Sequence, residues 1–71
     1  MLKLRQKDLR DMVRVGRAID VSHASCREDI PERYTQIGYA ESLYGCGGML
    51  LQGESGQLYA VIGNVSAIYL F

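Results

Sequence analysis

No tryptophan occurs in these 71 residues, and proline, histidine and phenylalanine occur once each. Cysteine occurs twice, enough for one intramolecular bridge at most, which excludes the disulfide framework of a small secreted scaffold. No stretch approaches the 18 apolar residues of a membrane-spanning helix. Met1 to Lys7 is charged and lacks an apolar h-region, so a secretory leader is not expected and a cytoplasmic protein with reduced thiols is. The most informative absence is of charge. All eight Lys and Arg residues lie between Lys3 and Arg33, and from Tyr34 onward only Glu41 and Glu54 are charged. A formal net charge of zero conceals a charged first half and a nearly uncharged second half.

The length sets one small domain. A chain of this size buries only about 60% of the surface its unfolded form exposes, so its core is marginal. With no disulfide framework, association between subunits is the expected source of extra stability.

Hydrophobic periodicity divides the chain where the charge does. Met1–Leu4 alternates loosely and reads as an edge strand. Over residues 6–15, Leu9, Met12, Val13 and Gly16 recur at helical spacing, with Gly16 placed to end the helix in the left-handed conformation and Arg14 suited to the negative end of its dipole. Residues 18–21 read as extended. Ser25 to Glu28 matches a capping box, giving a short helix over 26–30 and a further turn at 31–33. From Tyr34 the period becomes two. Strands are predicted over 34–43, 49–52, 57–62 and 65–70, separated by a glycine-rich loop at 45–48, a turn at 53–56 and a Gly63-Asn64 hairpin turn. Short turns make neighbouring strands antiparallel. The predicted fold is therefore α+β, an N-terminal helix packed on a four-stranded antiparallel β-meander.

The last two strands are apolar on both faces. Leu58, Ala60 and Ile62 oppose Tyr59 and Val61; Val65, Ala67, Tyr69 and Phe71 oppose Ser66, Ile68 and Leu70. A helix of about ten residues covers one face of a sheet, and a large uncovered apolar patch marks an interface. A homodimer is expected, built on that second face or on the edge of the last strand, with Tyr59, Val61, Ile68, Tyr69 and Phe71 as interface residues. The alternative is that residues 17–33 wrap the second face and the chain is monomeric.

Lys7, Arg10 and Arg14 share one flank of the predicted helix, and Lys3 and Arg17 continue the row if the helix extends at both ends. Such a basic ridge is one footprint of a nucleic-acid or acidic-partner surface, with Lys7, Arg10, Arg14 and Arg17 as its contacts. Against it stand a near-neutral domain, the absence of aromatics between the basic residues, and the simpler reading of a solvated face with a Lys7–Asp11 pair.

Residues that carry chemistry are few. His23 and Cys26 in H-x-x-C, with Cys46, make three metal ligands where a structural zinc site wants four. Cys46 between glycines has only His23 to activate it. Small buried thiols and a turn glycine explain these residues more simply, and neither a cofactor, a metal nor an enzyme is expected. Tyr34, Tyr39 and Tyr44 recur every five residues, so in an unbroken strand Tyr34 shares a face with Gln36 and Tyr44, and Tyr39 takes the other with Ile37 and Glu41. Glu41 reads as an edge-strand charge that deters aggregation.

Tyr44-Gly45, Gly48, Leu50-Leu51 and then Gly56-Gln57-Leu58-Tyr59 form a layout that is similar to a set of small uncharacterised proteins of Gram-positive, often gut-dwelling bacteria, some encoded near mobile elements. The resemblance covers roughly the last 30 residues. It implies hairpins before a final strand, and no activity, cofactor or catalytic residue. The expected function is a non-enzymatic, homo-oligomeric interaction or regulatory module, with a nucleic-acid-binding accessory protein as the alternative.

Overall fold

The computed structural model describes residues 1–22, 30–42 and 45–63. Strand β1 (Leu2–Leu4) leads into helix α1 (Gln6–Arg14) and strand β2 (Ala18–Asp20), followed by β3 (Tyr34–Ser42), β4 (Gly45–Gly53) and β5 (Leu58–Ile62). The strands form one sheet in the order β1-β3-β4-β5-β2.

The helix is where its sequence pattern puts it. At its N-terminus the Asp8 carboxylate accepts the Arg5 backbone N–H at 2.9 Å, which satisfies an amide beside the first turn and sets a negative charge near the positive end of the dipole. At its C-terminus Gly16 takes φ +82°, and the Arg17 and Gly16 amides donate to the Met12 and Val13 carbonyls at 2.9 and 3.1 Å. That is the double-bonded Schellman termination, which glycine adopts without a Cβ penalty.

The sheet departs from the expected meander. β3, β4 and β5 are consecutive antiparallel neighbours, but β1 pairs parallel to β3 and β2 parallel to β5. The sheet is therefore mixed and five-stranded among the described residues, and the N-terminal β1–α1–β2 unit supplies both of its rims. The extended segment predicted at 18–21 joins the sheet because Ala18, Ile19 and Asp20 pair with Leu58, Tyr59 and Ala60, and the Val21 amide donates to the Ala60 carbonyl at 2.9 Å. The strand predicted over 65–70 and most of the helix predicted over 26–30 lie outside the described residues. Pro31 to Arg33 forms no helical turn.

The predicted loop at 45–48 is strand. β4 runs unbroken through Gly45–Gly53, and only Gly47 is skipped in its pairing, where Ala40 faces Gly48 and Glu41 faces Cys46. The physical reason for the glycines is helix packing. A Cβ on Gly48 would meet the Leu9 Cδ1 methyl at 2.7 Å and the Val61 carbonyl oxygen at 2.6 Å. Without it α1 settles close enough for the Gln6 side-chain amide to donate to the Gly47 carbonyl at 2.7 Å.

Each face of the sheet carries a core cluster. On the helix side Leu9, fully buried, packs with Ala18, Ala40, Leu50 and Ala60. On the opposite side Met49, Leu51, Tyr59 and Val61 are buried with Val21 and Ile30, and Tyr34 packs against them. The face expected to be uncovered is thus closed within the single chain. Tyr59 and Val61 are 3% and 5% exposed, so the two described residues of the expected interface are not at the surface. Val21 and Ile30 are the reason: both come from the segment between β2 and β3, so part of the 17–33 wrap weighed as the alternative is present.

A second irregularity redistributes the tyrosines. Gln36 faces Leu51 and Gly38 faces Leu50, leaving Ile37 as an extra residue in β3. This bulge shifts the alternation by one. Gln36 then shares a side with Leu51, and Tyr39 with Met49, so Tyr34, Gln36 and Tyr39 fall on one face while Ile37 packs into the helix-side core. The odd spacing that separates Tyr34 from Tyr39 in a regular strand brings them together in this one.

Candidate functional site

Two constellations of polar side chains stand out, on opposite sides of the sheet. The first is the helix ridge. Lys7, Arg10, Arg14 and Arg17 are all exposed, on the flank of α1 away from Leu9. The Schellman turn ends the helix before Arg17, so this residue extends the ridge from the turn rather than from helix. Lys3 does not continue the row: it sits in β1 and pairs with Glu41 at 3.3 Å, both side chains exposed, the edge-strand charge expected of Glu41. Asp11 pairs with Arg14 at 3.0 Å, three residues on, and not with Lys7. Among the described residues no ion pair joins Lys7, Arg10 or Arg17, so the ridge presents three cations to solvent and a fourth partly neutralised.

The second constellation was not visible in the sequence. Glu32, four residues from the end of the undescribed 23–29 stretch and two before β3, lies over Gly53 and reaches the β4–β5 turn. One carboxylate oxygen accepts the Ser55 backbone N–H at 2.7 Å; the other accepts the Ser55 hydroxyl and the Tyr59 hydroxyl, each at 2.7 Å. A Cβ on Gly53 would run into the Glu32 carboxyl, so only glycine leaves room for this contact. The Glu54 amide donates to the Arg33 carbonyl at 3.0 Å next door, so backbone and side chain together tie residues 32–33 to the turn. The Ser55 backbone N–H above all, then the Tyr59 and Ser55 hydroxyls, hold the Glu32 carboxyl below its ordinary value of 4.5, with partial desolvation opposing them. The same bond to Glu32, with desolvation and the nearby negative charge, pushes the Tyr59 phenol above its ordinary value of 10.0. Both shifts favour an ionised carboxylate receiving a neutral phenol's proton in a hydrogen bond. A shallow depression lined by Arg33, Tyr34, Thr35, Gln52, Gly53 and Glu54 adjoins this cluster.

The linkage has a sign. A carboxyl whose pKa is lower in the folded chain contributes stability above its unfolded pKa, and the contribution is lost as pH falls through the folded value. Thermal melts of the wild type between pH 7 and pH 3 are expected to fall more steeply below pH 4.5 than those of Glu32→Gln. Parallel curves for the two proteins would contradict this.

Of the chemistry-bearing residues in the sequence, His23 and Cys26 lie outside the described residues, as does the Cys46 side chain. Ile68, Tyr69 and Phe71 of the expected interface lie outside them too. Among the described residues no three His, Cys, Asp or Glu side chains gather as a metal site, and no helix is long and apolar enough to cross a membrane. Positions 32 and 55 are too far apart for any local pattern to link them, and Gly53-x-x-Gly56 carries only a turn signature. Compared with known proteins, the chain matches no family model, no curated protein and no solved structure.

Proposed function

We propose that the protein is a non-enzymatic interaction module that works as a homo-oligomer, most simply a two-fold dimer. The observation that carries this reading is the pair of open sheet rims. β1 and β2 are three-residue edge strands, and each presents a large apolar side chain to solvent: Leu2 at 55% and Ile19 at 50% exposure. An edge strand with an apolar centre is a template for pairing with another chain. The two rims differ in protection. β1 carries the Lys3–Glu41 pair, a charge that discourages strand addition, whereas Ile19 stands at the centre of β2 with Val15 also exposed at the end of α1. The β2 rim is therefore the expected contact, in place of the buried Tyr59–Val61 face.

Light scattering at micromolar concentration tests the reading, with an expected mass near twice 7.9 kDa. Ile19→Lys is expected to weaken the association by about tenfold or more, and Leu2→Lys by less. A single-chain mass at every concentration defeats the proposal.

The exposed Lys7, Arg10, Arg14 and Arg17 support a second reading, an accessory protein that binds nucleic acid through α1. Phosphate contacts by exposed cations give affinity that falls steeply with salt. The charge reversals Lys7→Glu, Arg10→Glu and Arg17→Glu together are expected to lower duplex DNA or RNA affinity by about tenfold or more in a low-salt anisotropy titration. Wild-type protein that binds neither at low salt ends this reading.

A further inference from the structure

The sheet face opposite the helix has a property that its burial conceals. It is apolar across two strands, and what closes it is small. Ile30 and Val21 complete the cluster with Met49, Leu51, Tyr59 and Val61. Val21 is held by a backbone bond to β5. Ile30 has a different anchor: two residues on, the Glu32 carboxylate takes all three of its hydrogen bonds from Ser55 and Tyr59, across the seat that Gly53 provides. Tyr59 belongs to both systems. Its ring is part of the buried face and its hydroxyl is one of the three donors to Glu32. The latch and the surface it closes are thus one connected unit.

We infer that residues 30–33 form a latched strap, and that releasing Glu32 from Ser55 and Tyr59 uncovers the Met49, Leu51, Tyr59 and Val61 face as a second self-association surface whose occupant is another copy of this chain. Several features favour a like partner. The face is continuous, apolar and free of charged side chains among its buried members, which suits a two-fold contact between identical patches. A flat apolar surface left open on so small a chain is rarely monomeric. The latch, by contrast, is made only of hydrogen bonds at partly exposed groups, the class of interaction that opens locally at low cost. The groups facing the Glu32 carboxylate are Ser55 on the turn and Tyr59 on β5, with Arg33 beside it on the strap and Glu54 beside Ser55. Loss of the carboxylate charge weakens every donor bond at once. The inference takes its occupant from the self-association reading above; its latch stands independently of that reading.

The experiment uses the full chain as wild type, Glu32→Ala and Tyr59→Phe, with two readouts. Trypsin cleavage after Arg33 reports release of the strap, since the Arg33 carbonyl is bonded to the turn. Light scattering over a concentration series reports self-association. Glu32→Ala is expected to be cut at Arg33 about tenfold faster than wild type and to associate at about tenfold lower concentration, with Tyr59→Phe changing both in the same direction by less. If Glu32→Ala fails to fold, by far-ultraviolet circular dichroism, Tyr59→Phe carries the same comparison, because it removes one hydroxyl and leaves the ring. Unchanged cleavage in the folded variants overturns the latch; faster cleavage with unchanged mass overturns the surface. A single-chain wild type that associates only when unlatched supports this inference and defeats the constitutive dimer. A wild-type dimer that Ile19→Lys dissociates and the latch variants do not alter has the opposite result.

Discussion

Leu9→Ala is expected to destabilise the fold by about 3–4 kcal/mol, the upper part of the range for deleting a fully buried leucine. Leu9 is the only large side chain at 0% exposure among the described residues, and it is where α1 meets the sheet. Its neighbours Ala18, Ala40 and Ala60 are small, so they have few atoms with which to fill the space it leaves. A domain of this length has a total stability of roughly 4–10 kcal/mol, so the variant should be close to half-unfolded without denaturant. Urea titration followed by far-ultraviolet circular dichroism is the measurement, since the chain has no tryptophan to report by fluorescence. A loss below about 1 kcal/mol would mean that α1 is not packed as described.

The second large effect is at Gly48, where two principles oppose each other. By strand propensity a β-branched residue in the interior of β4 should stabilise the chain by up to about 1 kcal/mol. By packing, any Cβ collides with the Leu9 methyl and the Val61 carbonyl oxygen, and overpacking of this kind costs about 1–3 kcal/mol for a methyl and more for an isopropyl. The carbonyl contact decides the sign, because a backbone oxygen has no rotamer by which to move aside. Gly48→Ala should therefore lower the urea midpoint and Gly48→Val should lower it further. Combining Gly48→Ala with Leu9→Ala separates the two collisions. The truncated side chain relieves one of them, so the double variant should fall short of additivity by about 0.5 kcal/mol or more. A stabilised Gly48→Val would show that the helix stands farther from β4.

What the sequence carried and what it concealed follow from the range of each interaction. α1, its glycine stop and the alternation after Tyr34 are encoded by neighbours three, four or two positions apart. The exposure of Lys7, Arg10 and Arg14 follows from the same periodicity. The parallel pairing of β1 and β2 is not local, and short turns favoured the simpler meander. Gly45 to Gly48 read as a loop because glycine is common to turns and to close helix contacts, and composition cannot tell them apart. One extra residue at Ile37 was enough to reverse the facing of Tyr39 relative to Tyr34. Tyr59 and Val61 were correctly placed together on the second face, but their cover comes from Val21 and Ile30, at positions with no periodic signal. Glu32 needed three-dimensional proximity to Ser55 and Tyr59 before it meant anything.

The placement of β1 and β2 at the two rims also bears on how the chain reaches its fold. Leu2 finds its partner at Gly38, and Ala18 finds its own at Leu58, some forty residues on. The first twenty residues therefore have no finished structure to join until β5 has been made. During synthesis they emerge first and wait, and neither rim gains its partner from the hairpin closest to it. Closing such distant pairs slows folding and leaves little that is stable by halves. The chain should behave as a single kinetic unit: fragments ending before Leu58 should stay unfolded, while the whole chain refolds in one phase slower than its small size suggests.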